Sequence, residues 1–224
     1  METIICDIPV VFDPEQVAQF NNIKSGTRSY EKLASAESLF LQHAHPKAIL
    51  KWVEIKPGEG NQTWVDETLF ESIIISEKLK AVEKAFVFVA SAGHEILDAL
   101  ESESLILKES LAMYSLILAH TYVRDFLSEN FGYTEPGFLN PGSLPDWPIV
   151  NNFALFDILG PATEQIGVQI MDTGYMNPWK SSSGIIFSDA GGYQNCILCK
   201  NLECIGRRAP FDEVEYARIF GSGD

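Results

Sequence analysis

Between Tyr133 and Pro148 the chain carries Pro136, Pro141, Pro145 and Pro148 together with Gly137 and Gly142. Each proline removes a backbone donor and restricts the residue before it, so this stretch predicts a rigid irregular loop and no regular element. A structureless segment of this length inside a compact domain is usually functional. It also divides the chain into a helix-rich part before it and a strand-and-loop part after it.

Before the divide, Thr3–Val11 reads as a strand, and Asp13-Pro14-Glu15 has the form of an N-cap with proline in the first turn. Tyr30–Gln42 has helical spacing, with Leu33, Ala36, Leu39 and Phe40 on one face, and ends near Pro46. Ala48–Ile55 alternates as a strand does, and Pro57-Gly58-Glu59-Gly60 marks a turn. Glu67–Val82 is predicted helical, Ala85–Ala90 a buried strand, and Glu95–Leu100 and Leu105–Asn130 helices. Beyond the divide come a helix over Asn151–Leu159, a strand over Gly167–Met171, an irregular loop over Asp172–Ser182 and a strand over Ser183–Phe187. There is no β-α-β repeat and no linker, so residues 1–224 are expected to form one α+β domain with helices packed on a mostly antiparallel sheet.

The formal net charge is −15, from 31 acidic and 16 basic residues. Such a surface repels phosphate backbones and anionic lipid, which argues against nucleic acid and membrane as partners. The N-terminal apolar run lacks a preceding basic region and does not read as a signal peptide. The longest apolar run, Ser110 to Val123, is too short to span a bilayer. A soluble, cytoplasmic protein is expected.

The motifs lie in order along the last third. Ile166-Gly167-Val168-Gln169-Ile170-Met171-Asp172-Thr173 continues through Tyr175-Met176-Asn177-Pro178 to Ser181-Ser182-Ser183-Gly184, then Ile185-Ile186-Phe187-Ser188 and Tyr193. Upstream stand Asn140-Pro141-Gly142-Ser143, Asp146-Trp147-Pro148 and the Phe86–Gly93 run. This series resembles the activation (reactivation) domain of cobalamin-dependent methionine synthase and its small stand-alone relatives. The resemblance implies a helmet-shaped α+β fold around a twisted antiparallel sheet, which binds S-adenosylmethionine and caps a cobalamin carried by a partner. There, one electron and a methyl group restore methylcobalamin, and the protein's task is to position two large ligands. Carried over residue by residue, the implied cofactor-binding positions are Pro141, Gly142, Asp172, Met176, Pro178, Ser183, Gly184 and Tyr193. This chain departs from the family pattern at Phe138, where an arginine is expected, at Ser143 in place of a tyrosine, and at Asp172 in place of a glutamate. Losing a charged fork for the methyl donor costs a few kcal/mol. The corrinoid context is therefore better supported than S-adenosylmethionine binding.

Cys196-x2-Cys199-x4-Cys204 follows directly, with Lys200, Arg207 and Arg208 beside it. Thiolates so spaced suit a soft metal, and a disulfide framework is not expected of a cytosolic chain. A [4Fe-4S] cluster would take Cys6 as fourth ligand. Zinc would take Cys6 or a histidine, and ordinary loop cysteines are the third possibility. Similar C-terminal cysteines occur in the small relatives. His43 and His45 read as a helix terminus, His94 as part of a helix start and His120 as a core or groove residue. Ser181–Gly184 lacks the glycines of a phosphate loop. Two functions are expected: a corrinoid reactivation factor for a corrinoid-binding protein or cobalamin-dependent methyltransferase, or a non-catalytic metal-bearing module that docks a corrinoid protein without S-adenosylmethionine. An unrelated methyltransferase has no glycine-rich nucleotide loop to support it.

Overall fold

The strand over Lys84–Ser91 is apolar from Ala85 to Ala90, and the structure buries it on both faces. The computed structural model describes residues 3–189, 191–204 and 207–221. In chain order its elements are β1 (Thr3–Asp7), α1 (Pro14–Phe20), α2 (Arg28–Ser35), α3 (Glu37–His43), β2 (Lys47–Pro57), β3 (Gln62–Val65), β4 (Thr68–Glu71), α4 (Ile73–Leu79), β5 (Lys84–Ser91), α5 (His94–Ala99) and α6 (Leu105–Phe131). Then follow β6 (Pro136–Leu139), α7 (Asn152–Leu159), α8 (Ala162–Gln165), β7 (Gln169–Ile170), β8 (Met176–Asn177), β9 (Ser181–Ser188) and α9 (Glu213–Phe220).

The main sheet runs β4-β3-β2-β5-β9-β6, and β1 pairs with β2 on the side away from β5. Every ladder among the described residues is antiparallel. Alternation along the central strands sends Ala48, Leu50, Phe86, Phe88, Ala90 and Ile186 to one face, under α1, α2, α3, α5 and α6. Ile49, Val53, Val87, Val89, Ile185 and Phe187 go to the other face, under α4, α7 and α8. Two cores thus share one sheet, because period-two side chains on a doubly covered strand must be apolar on both sides. The α+β expectation holds, with helices on both faces.

Several expected elements change. Asp13 caps α1 by accepting from the Glu15 and Gln16 amides, but the strand before it ends at Asp7 rather than Val11. Tyr30–Gln42 is two helices, broken at Ala36. Glu67–Val82 is not one helix: Thr68–Glu71 closes a hairpin with β3, turning at Asp66 with φ 51°, and Ser72 then caps α4. Tertiary pairing overrides a helical pattern there. Most relevant to function, the Pro/Gly segment contains a strand. Pro136–Leu139 forms the sheet edge against β9, where a proline without a donor is tolerated.

The rest of that segment is bolted down by its own side chains. Asp146 Oδ2 accepts from the amides of Ile73 and Ile74 at the start of α4. Trp147 is fully buried, packed edge-on against Phe70 with ring centroids 5.7 Å apart. The Asp146-Trp147 pair therefore anchors the loop to the second core.

Candidate ligand groove

Beyond β6 the sheet edge is left open toward one face of α6. Met113, Ile117, His120, Thr121 and Arg124 recur there at helical spacing. The chain returns along this edge after β9: Gln194 bridges Phe138 in parallel, and the Asn195 amide, oriented to donate to the Phe138 carbonyl, accepts from the Asn140 amide at 2.8 Å. The space enclosed is a two-lobed groove. The wider lobe, about 780 Å³, runs from Phe20 past Arg124 and Glu135 to Arg208. The narrower, about 330 Å³, continues past Pro141, Met176 and Ser181–Ser183 to the cysteines. Met113, Ile117, His120, Phe138, Gln194, Arg207 and Arg208 line both lobes, so the two are one continuous cleft.

His120 stands at the junction. Its Nε2 lies 2.7 Å from Ser182 Oγ, and the rings of Phe88 and Phe138 meet it edge-on at 5.8 and 6.0 Å. Burial pushes its pKa down to about 3, and the nearby Arg208 cation acts in the same direction. The imidazole is neutral, and its Nδ1 has no hydrogen-bond partner among the described residues.

The serine strand supplies backbone shape. Asn140 Nδ2 donates to the Ser183 carbonyl at 2.7 Å, and Ser183 Oγ donates to Asn152, whose amide donates to Gly174 O at 2.9 Å. At Gly184 a Cβ would overlap the Leu139 carbonyl oxygen, so this glycine lets β6 and β9 close. Gly142 turns with φ +79°, and a Cβ there would lie 3.1 Å from Ile149 Cδ1.

The cysteine segment is organised by Arg207. Its guanidinium donates to the carbonyls of Cys196 (2.7 Å), Ala209 (3.0 Å), Cys199 (2.7 Å) and Asn201 (2.8 Å). Arg208 donates its backbone amide to Cys196 Sγ at 3.3 Å. Burial lowers the Arg208 pKa and the Arg124 cation adds to this, while the Cys196 thiol opposes it. Cys196, Cys199 and Cys204 all line the narrow lobe. Even so, among the described residues no group of three or more His, Cys, Asp and Glu converges on a metal-sized point. The loop interior holds an arginine cation, which is a poor fit for an iron–sulfur cluster or zinc in this arrangement.

Cys6 is corrected as a fourth ligand. It sits on β1 in the row Cys6–Ala48–Ala90–Ser182, three strand spacings and about 14 Å from the groove wall. Burial, with Asp7 beside it, raises its pKa to about 11. A thiol so placed packs the first core.

The fold is similar to that of a solved structure. The solved MetH reactivation domain, bound to AdoHcy, matches with a TM-score of 0.57 and 12% identity, over 84% of this chain and 78% of that one. This chain has the MetH reactivation-domain fold. No family model and no curated protein sequence matches it. Of the positions carried over from the MetH-like motifs, the structure brings Pro141, Met176 and Ser183 to the groove wall, beside Cys196, Cys199 and Cys204. It does not bring the others to the wall. Asp172 is exposed in the β7–β8 turn, and Pro178 is buried after a cis peptide bond. Gly142 and Gly184 shape the backbone. Tyr193 is buried in the second core beneath the Lys78 amine, its phenol pushed up by burial. Sequence reasoning missed Arg124, Glu135 and Phe20 and set His120 aside. The signal available was the spacing of Met113, Ile117, His120 and Arg124 along one helix.

Proposed function

We propose that this chain is a corrinoid-associated reactivation factor. A corrinoid-binding protein or cobalamin-dependent methyltransferase carries the cobalamin, and this chain, acting as one unit over its 224 residues, covers it with the groove face. The observation that carries the reading is the placement of Pro141, Met176 and Ser183 on one wall of a large cleft in a chain with the MetH reactivation-domain fold. The partner's cobalt and a methyl donor supply the redox and methyl-transfer chemistry. This chain's residues orient and exclude water: anchored loops hold the wall, and neutral His120 and Ser182 offer polar contacts without adding charge. Free thiols fit a reducing cytoplasm, and no helix among the described residues is long and apolar enough to cross a membrane.

A second reading is favoured by Phe138. Where the resemblance implies an arginine, this ring packs edge-on against Phe88 and His120. In that reading the chain docks a corrinoid protein without using S-adenosylmethionine. The test is an anaerobic mixture of the chain with an oxidised corrinoid protein and a reductant, with and without S-adenosylmethionine, followed by cobalt absorbance. Remethylation that needs all components supports the first reading. Complex formation without any dependence on the methyl donor supports the second, and no change together with no complex refutes both.

A further inference from the structure

The function proposed above uses the cysteine segment as groove wall and leaves its thiols without a role. Ile197 closes a 3₁₀ turn and Leu198 follows with φ −111° and ψ −4°, so Cys196 and Cys199 stand at the two ends of a type I turn. Such a turn holds its end Cα atoms within about 7 Å, which overlaps the span a disulfide needs. Two further contacts hold the turn shut. Leu198, inside it, is fully buried in the second core. The Arg207 guanidinium donates from Nη1 to the Cys196 carbonyl and from Nη2 to the Cys199 carbonyl, each at 2.7 Å. Both cysteines are half-buried free thiols that line the narrow lobe. The Arg208 amide donates to Cys196 Sγ at 3.3 Å and fixes that sulfur in place.

We propose that Cys196 and Cys199 are a redox-active dithiol, reversibly oxidised to a disulfide across their turn by small disulfides of the glutathione class. The Cys196 thiolate attacks one sulfur of the small disulfide. A new S–S bond forms to Cys196, and the other half departs as a thiolate. The Cys199 thiolate then attacks Cys196 Sγ, which forms the protein disulfide and expels the second half. The chain gives up two electrons and two protons, and the small disulfide takes up both to become two thiols. Arg207 binds carbonyls and no sulfur, so it acts as a positioning residue that keeps the ends of the turn adjacent. The inference goes beyond the corrinoid reading and does not rest on it.

The test equilibrates the full chain anaerobically in mixtures of reduced and oxidised glutathione, then quenches with acid, alkylates the remaining thiols and reads each site by mass spectrometry. Cys196 and Cys199 are expected to lose their thiols together, as one disulfide-linked unit, and to recover them in excess reduced glutathione. Cys204 is expected to take up glutathione only, and Cys6, in the first core, to stay reduced. Cys199→Ser removes the internal nucleophile and is expected to hold about tenfold or more glutathione on Cys196 than the parent does, because a tethered thiol acts at a high effective concentration. A merely structural role for Cys199 would not trap that intermediate, and an unchanged urea midpoint shows that the variant folds. The proposal is overturned if fully oxidised buffer yields no Cys196–Cys199 disulfide, if Cys204 supplies one of the paired sulfurs, or if Cys199→Ser traps no excess glutathione. Disulfide formation in a chain that forms no complex with a corrinoid protein leaves this inference standing and removes the docking reading alone.

Discussion

Replacing Arg207 by alanine isolates the device that shapes the cysteine segment. Its guanidinium makes four hydrogen bonds to carbonyls of Cys196, Cys199, Asn201 and Ala209, all 2.7–3.0 Å long. These carbonyls are half-buried to exposed, so water recovers part of each bond. At about 0.5 kcal/mol net per bond, the low end for solvent-accessible pairs, the loss is about 2 kcal/mol. The cost falls on local opening of the loop, because the loop's anchors, Leu198 in the second core and Asn195 on β6, remain. Thiols that react through that opening are expected to label about thirtyfold faster in Arg207→Ala, since 1.4 kcal/mol is a factor of ten. The assay is disulfide-exchange labelling of Cys196 and Cys199 in native buffer, read site by site by mass spectrometry, beside a urea titration of the global fold. Arg207→Lys is expected to resemble the alanine variant, because one ammonium does not span four carbonyls. Unchanged labelling of both cysteines in Arg207→Ala would refute the arginine-centred loop.

Other outcomes follow from the same geometry. Gly184→Ala is expected to destabilise the fold by about 3 kcal/mol in chemical denaturation, because its methyl group meets the Leu139 carbonyl across the β6–β9 ladder. His120 has a folded-state pKa depressed from 6.5 to about 3, so the unfolded chain takes up the proton first. Stability from this group is full above pH 6.5 and is lost as pH falls through that window, by at most about 1.4 kcal/mol per pH unit; His120→Gln is expected to flatten that part of a stability–pH curve. Cys6, with its thiol raised to about 11, is expected to resist alkylation until the protein unfolds, and Cys6→Ser to cost about 1–3 kcal/mol. Anaerobically purified protein is expected to carry no stoichiometric iron or zinc, measured by elemental analysis; iron with sulfide at one cluster per chain would contradict the arginine-centred loop.

What the sequence disclosed depended on how local each signal was. The Asp13 cap, the long α6 and the doubly buried β5 were legible because each is written within one element. The β3–β4 hairpin was not: Thr68–Glu71 reads as the start of a helix until pairing with β3 fixes it. The Pro/Gly segment read as irregular because its strand character comes from β9 and from Asp146 reaching across to α4. At the groove, Pro141, Met176 and Ser183 were legible through motif resemblance. Cys6 was misplaced, because a shared residue type says nothing about which strand spacing separates two cysteines. Arg208 lay beside the cysteines in plain view, but its place on the groove wall, in the lobe that Arg124 of α6 also lines, appears only in the folded chain.

The central claim is that the groove face meets a corrinoid protein. Hydrogen–deuterium exchange of the full chain, alone and with a cobalamin-loaded corrinoid protein, measures this directly. The account predicts slowed exchange confined to Pro136–Ser143, Met176–Ser183 and the groove face of α6. Protection only on the opposite sheet edge around β3 and β4, or no protection at saturating partner, would contradict it.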